Sequence, residues 1–221
     1  RKFKLYDWRI GIIESELKNI WLIEHRGDLK DQKENIRRRE FKIYSQTGED
    51  GIINYIFEKI GTKSKKFVEI GIEDGKECNT ANLSLNFGWN GLMVEGNKEY
   101  AEKAKAYYQK YPVKVVNAFV TKENINNVLK ENNMKGEIDL LSIDIDGNDY
   151  WIWKEINEVK PRVVVVEYND ILGKEPITVK YDANFERLRK HSSGFYYGAS
   201  LSALANLAKS KGYILIGCNS F

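Results

Sequence analysis

The chain has little of what marks secreted, disulfide-bonded or membrane-spanning proteins. Only two cysteines occur in its 221 residues, Cys78 and Cys218, and they stand far apart and outside any paired motif. Their placement excludes a disulfide framework and a zinc knuckle, and it favours the cytoplasm as the compartment. No apolar run approaches the roughly 20 residues that a membrane span requires, and no signal peptide is visible. The first residue is Arg rather than Met, which leaves room for a leader before it.

An excess of one charge is also absent. The formal net charge is +3, which is too mild to indicate nucleic acid as a partner. With 42% hydrophobic and 30% charged residues, the composition is that of an ordinary soluble globule. A chain of 221 residues suits one domain with a full-sized core, and it contains no internal repeat or low-complexity segment.

Residues 1–43 are predicted to form a helical extension in front of this domain. Apolar side chains recur there at spacings of three and four, which is typical of an amphipathic helix. The stripe consists of Ile10, Ile13, Leu17, Ile20 and Trp21. We expect this helix to pack on the domain or on a second copy of the chain, which would make a homo-oligomer. The basic run Arg37–Arg39 is typical of a solvated face.

From residue 44 to residue 221 the chain alternates short apolar strands with amphipathic helices. Strands are predicted at residues 67–70, 91–95, 113–117, 138–144, 162–167 and 213–218. Helices are predicted at about residues 52–60, 79–86, 98–108, 122–132, 150–158 and 200–211. This alternation predicts an α/β, Rossmann-like fold, with a mostly parallel twisted sheet and helices on both faces. In such sheets ligands bind outside the carboxyl ends of the strands.

Polar side chains lie at or near the carboxyl ends of five predicted strands. They are Glu69, Glu95, Asn117, Asp144 and Glu167. A purely structural scaffold would not need them at one rim, so we predict a nucleotide-type cofactor site there. Glu95 follows Glu69 by about the spacing after which dinucleotide folds place an acid on ribose hydroxyls. The alternative for Glu95 is an acid that caps the helix from Asn97 onward.

The glycines after the first predicted strand argue against a hydride-transfer enzyme. Gly71 and Gly75 form a tight turn, but they do not match the G-x-G-x-x-G fingerprint that accommodates a pyrophosphate. Glu73 and Asp74 between them would repel a pyrophosphate. Acids are tolerable beside a cofactor that carries a sulfonium and an amino group.

At this point the motifs resemble a known family. Glu69–Gly75, Val94–Asn97 and Ile138–Asp149 resemble successive motifs of class I S-adenosylmethionine-dependent methyltransferases. Ser45–Asp50, Asp144–Asp149 and Tyr197–Leu201 resemble the FkbM-type branch of that family. The resemblance covers about residues 44–221. It implies methyl transfer from S-adenosylmethionine, commonly onto an oxygen of a sugar, glycan or small molecule.

The resemblance also implies a set of cofactor-binding residues, and the chain departs from the family pattern in two places. The residues are Gln46, Glu69, Gly71, Gly75, Glu95, Gly96, Asn117, Ala118 and Asp144. The family's sheet ends in a hairpin whose last strand is antiparallel. This chain stops at Phe221, so we expect that strand to be missing. Asp149 stands where the family more often has Glu.

The methyl acceptor needs a base for its hydroxyl proton, and Asp144 or Asp146 is placed for this role. His191 is the alternative base, although a histidine beside Ser192–Gly194 is more often a loop residue. The segment from Tyr168 to Tyr197 is expected to build the acceptor pocket, because long loops at the active rim set substrate choice.

A Mg²⁺ ion is a further option. Asp144, Glu167 and Asn169 supply hard oxygen ligands at the ends of two strands, a pattern similar to catechol-type O-methyltransferases. The alternative is that Asp144 and Asp146 hydrogen-bond the cofactor and the loop.

Two other functions stay open at this stage. One is an oxidoreductase or nucleotide-sugar enzyme with a degenerate glycine loop, which would bind NAD or a sugar nucleotide. The other is a non-catalytic binding module whose N-terminal helices and basic run dock a partner.

Overall fold

The computed structural model describes residues 36–220. The predicted N-terminal amphipathic helix therefore lies outside the described residues, and the domain boundary after residue 43 stays a prediction. A short 3₁₀ helix, Ile36–Arg39, comes first. The next residues already contact the domain, because the Gly51 N–H donates to the Phe41 carbonyl at 3.0 Å.

The regular elements alternate as the sequence predicts. The strands are β1 (Lys66–Ile70), β2 (Asn90–Glu95), β3 (Val113–Asn117), β4 (Gly136–Ile143) and β5 (Val159–Val166). The helices are α1 (Glu49–Ile60), α2 (Ala81–Phe87), α3 (Lys98–Tyr108), α4 (Ile125–Glu131), α5 (Asp149–Glu155), α6 (Arg187–Lys190) and α7 (Leu201–Ser210). A second 3₁₀ helix covers Asp170–Leu172.

All strand pairs in the sheet are parallel, and the strand order is β3-β2-β1-β4-β5. This order confirms the predicted Rossmann-like α/β fold. The central strand β1 has β2 on one side and β4 on the other, so Ile70 is aligned with both Val94 and Ile143. The strand order therefore reverses at β1, the switch point at which open α/β sheets bind their ligands.

The core lies in two layers, one on each face of the sheet. Alternate residues of a strand point to opposite faces, so Val68 and Phe67 belong to different layers. Val68 packs in the layer that is covered by α4, α5 and α7. Phe67 packs in the layer that is covered by α1, α2 and α3. Because both faces are buried, the strands read as nearly continuous apolar runs.

The predicted sixth strand, residues 213–218, is wrong. Within residues 36–220 the sheet has five strands, and residues 213–218 have no strand structure. The Tyr213 hydroxyl donates to the Pro161 carbonyl at 2.6 Å, and Arg37 donates to Cys218. Ile214 remains 83% exposed, so no packed face rewards regular pairing of this segment. No helix within the described residues has the length and apolarity to cross a bilayer.

Candidate functional site

A cavity of about 560 Å³ lies at the carboxyl ends of β1, β2, β4 and β5. This volume is in the range of sites for small molecules and cofactors, roughly 300–1,000 Å³. The predicted site residues that line it are Gln46, Glu69, Gly71, Glu95, Gly96, Ala118, Asp144, Asp146 and Glu167. Gly75, Asn117, Asn169 and His191 are not among the lining residues.

Glu69 is 2% exposed and fastens the turn between β1 and α2. Its carboxylate accepts hydrogen bonds from the Asn79 and Thr80 backbone N–H groups, at 2.8 and 2.9 Å, and from the Thr80 and Ser142 hydroxyls. Burial nevertheless raises the pKa of Glu69 above its ordinary value. Two of these donors are the residues just before α2, a position that favours negative charge.

Gly71 is required by the protein's own backbone as well as by any ligand. Its φ is +82°, and an added Cβ would lie 1.7 Å from the Asp144 carbonyl oxygen. The ends of β1 and β4 therefore touch here, and only glycine permits this approach. The contact places the turn after β1 directly beside Asp144.

Glu95 holds the same turn from the β2 side. Its Oε2 accepts from the Ile72 and Glu73 N–H groups at 3.2 and 2.8 Å, and its Oε1 accepts from the Asn97 N–H at 2.7 Å. A carboxylate has about four acceptor positions, so one remains on the cavity side. Both sequence interpretations of Glu95 are thus compatible with the structure, since it supports the chain at Asn97 and faces the cavity.

Two predicted cofactor residues have structural contacts outside the cavity lining. Gly75 has φ +79°, and an added Cβ would lie 2.8 Å from the Tyr108 ring. The Gly75 carbonyl accepts from the Tyr108 hydroxyl at 2.7 Å. The Asn117 amide donates to the Glu95 and Gly96 carbonyls at 2.8 and 3.0 Å. Both residues therefore stabilise the backbone next to the cavity without lining it. Ala118, next to Asn117, does line the cavity.

Gln46 reaches the cavity because Asp50 folds the loop before α1. Asp50 Oδ2 accepts from three consecutive backbone N–H groups, those of Ile43, Tyr44 and Ser45, at 2.6–2.8 Å. Lys42 Nζ donates to the Gln46 carbonyl at 2.9 Å. Asp50 at the start of α1 thus also places one wall of the cavity.

Three acids meet beyond the ends of β4 and β5. Carboxylate oxygens of Asp144, Asp149 and Glu167 all lie within 4.8 Å of one another. Burial, followed by the charge of neighbouring acids, raises the pKa of Asp144 to about 6, that of Asp149 to about 7 and that of Glu167 to about 10. Oε2 of Glu167 is buried without a hydrogen-bond partner. In the sequence, Asp149 is noted only as the acid that stands where the family more often has Glu, and it is not among the predicted site residues.

Asn169, which the sequence predicts as a metal ligand together with Asp144 and Glu167, does not line the cavity with them. Asn169 is fully buried, and its amide donates to the Phe195 and Tyr197 carbonyls, each at 3.0 Å. Its Oδ1 accepts from the Ile171 N–H at 3.1 Å. Asn169 therefore fixes the loop after β5, and Asp149 occupies the place beside Asp144 and Glu167.

Asp146 is paired with Arg187, which sequence reasoning missed. The Arg187 guanidinium donates to Asp146 and to the Gly194 carbonyl, and it lies 3.7 Å from the centroid of the Tyr197 ring. Arg187 also lines the cavity. Nothing in its sequence context marks it, because the long segment after β5 brings it back to the rim.

His191 is not among the residues that line the cavity. It is exposed, and its Nδ1 pairs with the Ser193 hydroxyl at 2.7 Å. Its contacts match the interpretation as a loop residue, and its role as the base has no support from the cavity lining.

Acidic side chains outnumber basic ones in the cavity lining. Seven acidic side chains line it, and Arg187 is the one basic side chain among its described lining residues. The acids are Glu69, Glu73, Glu77, Glu95, Asp144, Asp146 and Glu167. Such a site repels phosphates and favours cationic or neutral occupants.

Neither a protein-family model nor a curated protein sequence matches the chain. Solved structures resemble it at low identity. An O-methyltransferase from Bacillus cereus in complex with SAH is 16% identical, with 71% of this chain and 67% of that chain covered and a TM-score of 0.42. The N-terminal domain of EvdMO1 with SAH bound is 14% identical, with 74% and 70% covered and a TM-score of 0.49. An S-adenosylmethionine-dependent methyltransferase from Clostridium acetobutylicum is 13% identical, with 77% and 65% covered and a TM-score of 0.41. Because these TM-scores lie below 0.5, we argue function from the cavity itself.

Proposed function

We propose that the protein is an S-adenosylmethionine-dependent methyltransferase that acts on a hydroxyl of a sugar, glycan or small molecule. The observation that carries the proposal is the acid-lined cavity at the switch point of a parallel sheet, closed by the glycine turn after β1. The sulfonium and amino groups of this cofactor suit such a site. The phosphates of NAD or of a sugar nucleotide do not.

The lining residues fit the parts of the cofactor. Glu95 retains an acceptor position for a ribose hydroxyl. Gly96, Ala118 and the half-exposed Phe119 ring form an apolar wall for a flat base. Bound there, the cofactor supplies an electrophilic methyl group. The protein's contribution is to hold the acceptor oxygen in line with it, which can supply roughly 7–11 kcal/mol of the barrier reduction.

Asp144 is the base that we favour for the acceptor hydroxyl. It lines the cavity and lies against Gly71, next to the expected position of the methyl donor. Asp146 is already paired with Arg187, so it is less available to take a proton. The FkbM-type assignment belongs to the same proposal and rests on the three motifs quoted above.

A second candidate feature is Mg²⁺ assistance. The three close carboxylates Asp144, Asp149 and Glu167 are ligands of the type that Mg²⁺ prefers, and Oε2 of Glu167 lacks a partner. An ion held there would lower the pKa of an acceptor hydroxyl. We expect MgCl₂ to raise the melting temperature of the chelator-treated protein. A melting temperature that does not respond to Mg²⁺ would count against the ion.

Calorimetric titration tests the cofactor. We expect S-adenosylmethionine and S-adenosylhomocysteine to bind, and NAD and a uridine-diphosphate sugar to give no heat. Glu95→Gln removes the carboxylate charge while keeping its shape, so it should weaken S-adenosylmethionine binding about tenfold. Glu99→Gln on exposed α3 is the matched control and should bind like the parent. Tight NAD binding would favour the oxidoreductase alternative instead.

A further inference from the structure

Asn148 carries a buried acceptor atom in the wall of the cavity. Its side chain is 4% exposed and lines the cavity, and its Oδ1 has no hydrogen-bond partner. Its Nδ2 donates to the Asp182 carbonyl at 2.7 Å. Turning the amide over would set Oδ1 against that carbonyl oxygen, so the orientation is fixed by the existing bond. Asn148 thus offers a preoriented acceptor.

The backbone beside Asn148 is closely packed. Gly147 lies against the Phe185 ring, which an added Cβ would meet at 2.3 Å. Buried polar atoms in native proteins are nearly always paired, so an occupant of this part of the cavity is expected to bring hydrogen-bond donors.

The strand order separates this place from the ribose end. Glu95 ends β2, whereas Asn148 follows β4 and Glu167 follows β5, on the opposite side of the central strand β1. Asn148 also contacts the segment after β5 through Asp182, the part of the chain expected to surround the acceptor. The donor groups that meet Asn148 therefore belong to the acceptor and not to the ribose.

We propose that Asn148 is a specificity-determining residue for the methyl acceptor, and that its Oδ1 accepts a hydrogen bond from a second hydroxyl beside the one that is methylated. This inference rests on the proposed function. The acceptor class is a neutral compound with neighbouring hydroxyl groups, because the acids of the cavity disfavour anionic acceptors.

The test measures methyl transfer from S-[methyl-³H]adenosylmethionine to methyl glycopyranosides and their monodeoxy analogues. Asn148→Ala should raise KM for the best glycoside about tenfold and leave S-adenosylmethionine affinity within twofold of the parent. Trp151→Phe is the matched control. It removes the hydrogen bond that Trp151 Nε1 of α5 donates to the Val179 carbonyl at 2.9 Å, in the same segment that Asn148 contacts. Trp151 does not line the cavity.

The deoxy analogues make the test specific. With the analogue that lacks the partner hydroxyl, parent and Asn148→Ala should show equal KM values, as a double-mutant cycle requires. Equal KM changes in Asn148→Ala and Trp151→Phe would overturn the inference, and so would an unchanged KM in Asn148→Ala. A protein that binds S-adenosylmethionine but methylates no glycoside would also overturn it. A protein that does not bind S-adenosylmethionine at all would instead overturn the proposed function.

Discussion

The two ends of β4 carry acids in opposite surroundings. Asp139, nearer the amino end, is fully buried and accepts from the Lys63, Ser64 and Lys65 N–H groups and from Arg162. Burial works to raise its pKa, but Arg162 and the backbone donors hold that pKa below its ordinary value. At the other end, burial and then the neighbouring charge of Asp146 raise the pKa of Asp144 to about 6. One strand thus stabilises the fold at one end and concentrates uncompensated acids at the other, as functional rims do.

The largest expected effect is the loss of activity in Asp144→Asn. Loss of a general base lowers kcat by about 10² or more, and the lost repulsion among neighbouring acids should leave stability equal or higher. Methyl transfer and thermal unfolding measure the two properties. Asp146→Asn is the matched variant, because Asp146 is committed to Arg187. A larger kcat loss in Asp146→Asn would transfer the role of base to Asp146.

Next in size is the loss of stability in Asp139→Asn. The change leaves Arg162 and buried backbone donors without their anion, which should lower the free energy of unfolding by about 3 kcal/mol. Urea denaturation measures it. Affinity for S-adenosylmethionine in the folded protein should stay unchanged, since Asp139 does not line the cavity. If Asp139→Asn weakened S-adenosylmethionine binding and left the free energy of unfolding unchanged, the proposed difference in role between the two ends of β4 would be wrong.

Asp139 should contribute to the decrease in the free energy of unfolding at acidic pH. Its pKa is lower in the folded than in the unfolded chain, so its contribution is present above the unfolded value of about 3.9 and is lost as the pH falls through the folded value. The difference in unfolding free energy between parent and Asp139→Asn should therefore narrow below about pH 4. Urea titrations between pH 3 and 6 measure it. A difference that stays constant across this range would rule out the assignment.

The smallest expected effect is a gain in stability in Glu167→Gln. This change removes an acid from the crowded cluster with Asp144 and Asp149, and it should raise the free energy of unfolding by about 1 kcal/mol. Glu155→Gln on the exposed end of α5 is the control and should change little. If Glu167→Gln destabilises the protein, the cluster is a stabilising network and the contrast between the two ends of β4 disappears.

The fold was largely predictable because local signals agree with the final structure. The helix predicted at residues 98–108 and the strand predicted at 113–117 match α3 and β3 to the residue. Asn97 caps α3 by accepting hydrogen bonds from the Glu99 and Tyr100 N–H groups. Asn is a preferred residue at this position, so the cap can be recognised in the sequence. The segment Tyr213–Cys218 reads equally well as a strand. The segment does not form a strand because a strand is stabilised by packing of its side chains against a neighbouring surface, and these side chains have no such surface.

The cavity was predictable where strands deliver its residues and not where loops do. Glu69, Glu95, Asp144 and Glu167 follow from the rule that parallel strands end at one edge. Arg187 comes from the segment after β5, whose path depends on tertiary contacts such as those of Asn169. Asn148 sits in a turn, and only coordinates reveal which of its amide atoms lacks a partner.

The strand order also bears on how the chain folds as it is synthesised. β1 to β3 leave the ribosome first and can pair with one another, but Phe67 is aligned with Leu140, far along the chain. One edge of β1 therefore stays uncovered until residues 136–143 emerge, and non-local pairing of this kind is slow. A nascent chain that pauses before residue 136 exposes an apolar strand edge, so chaperones should engage it most at that stage.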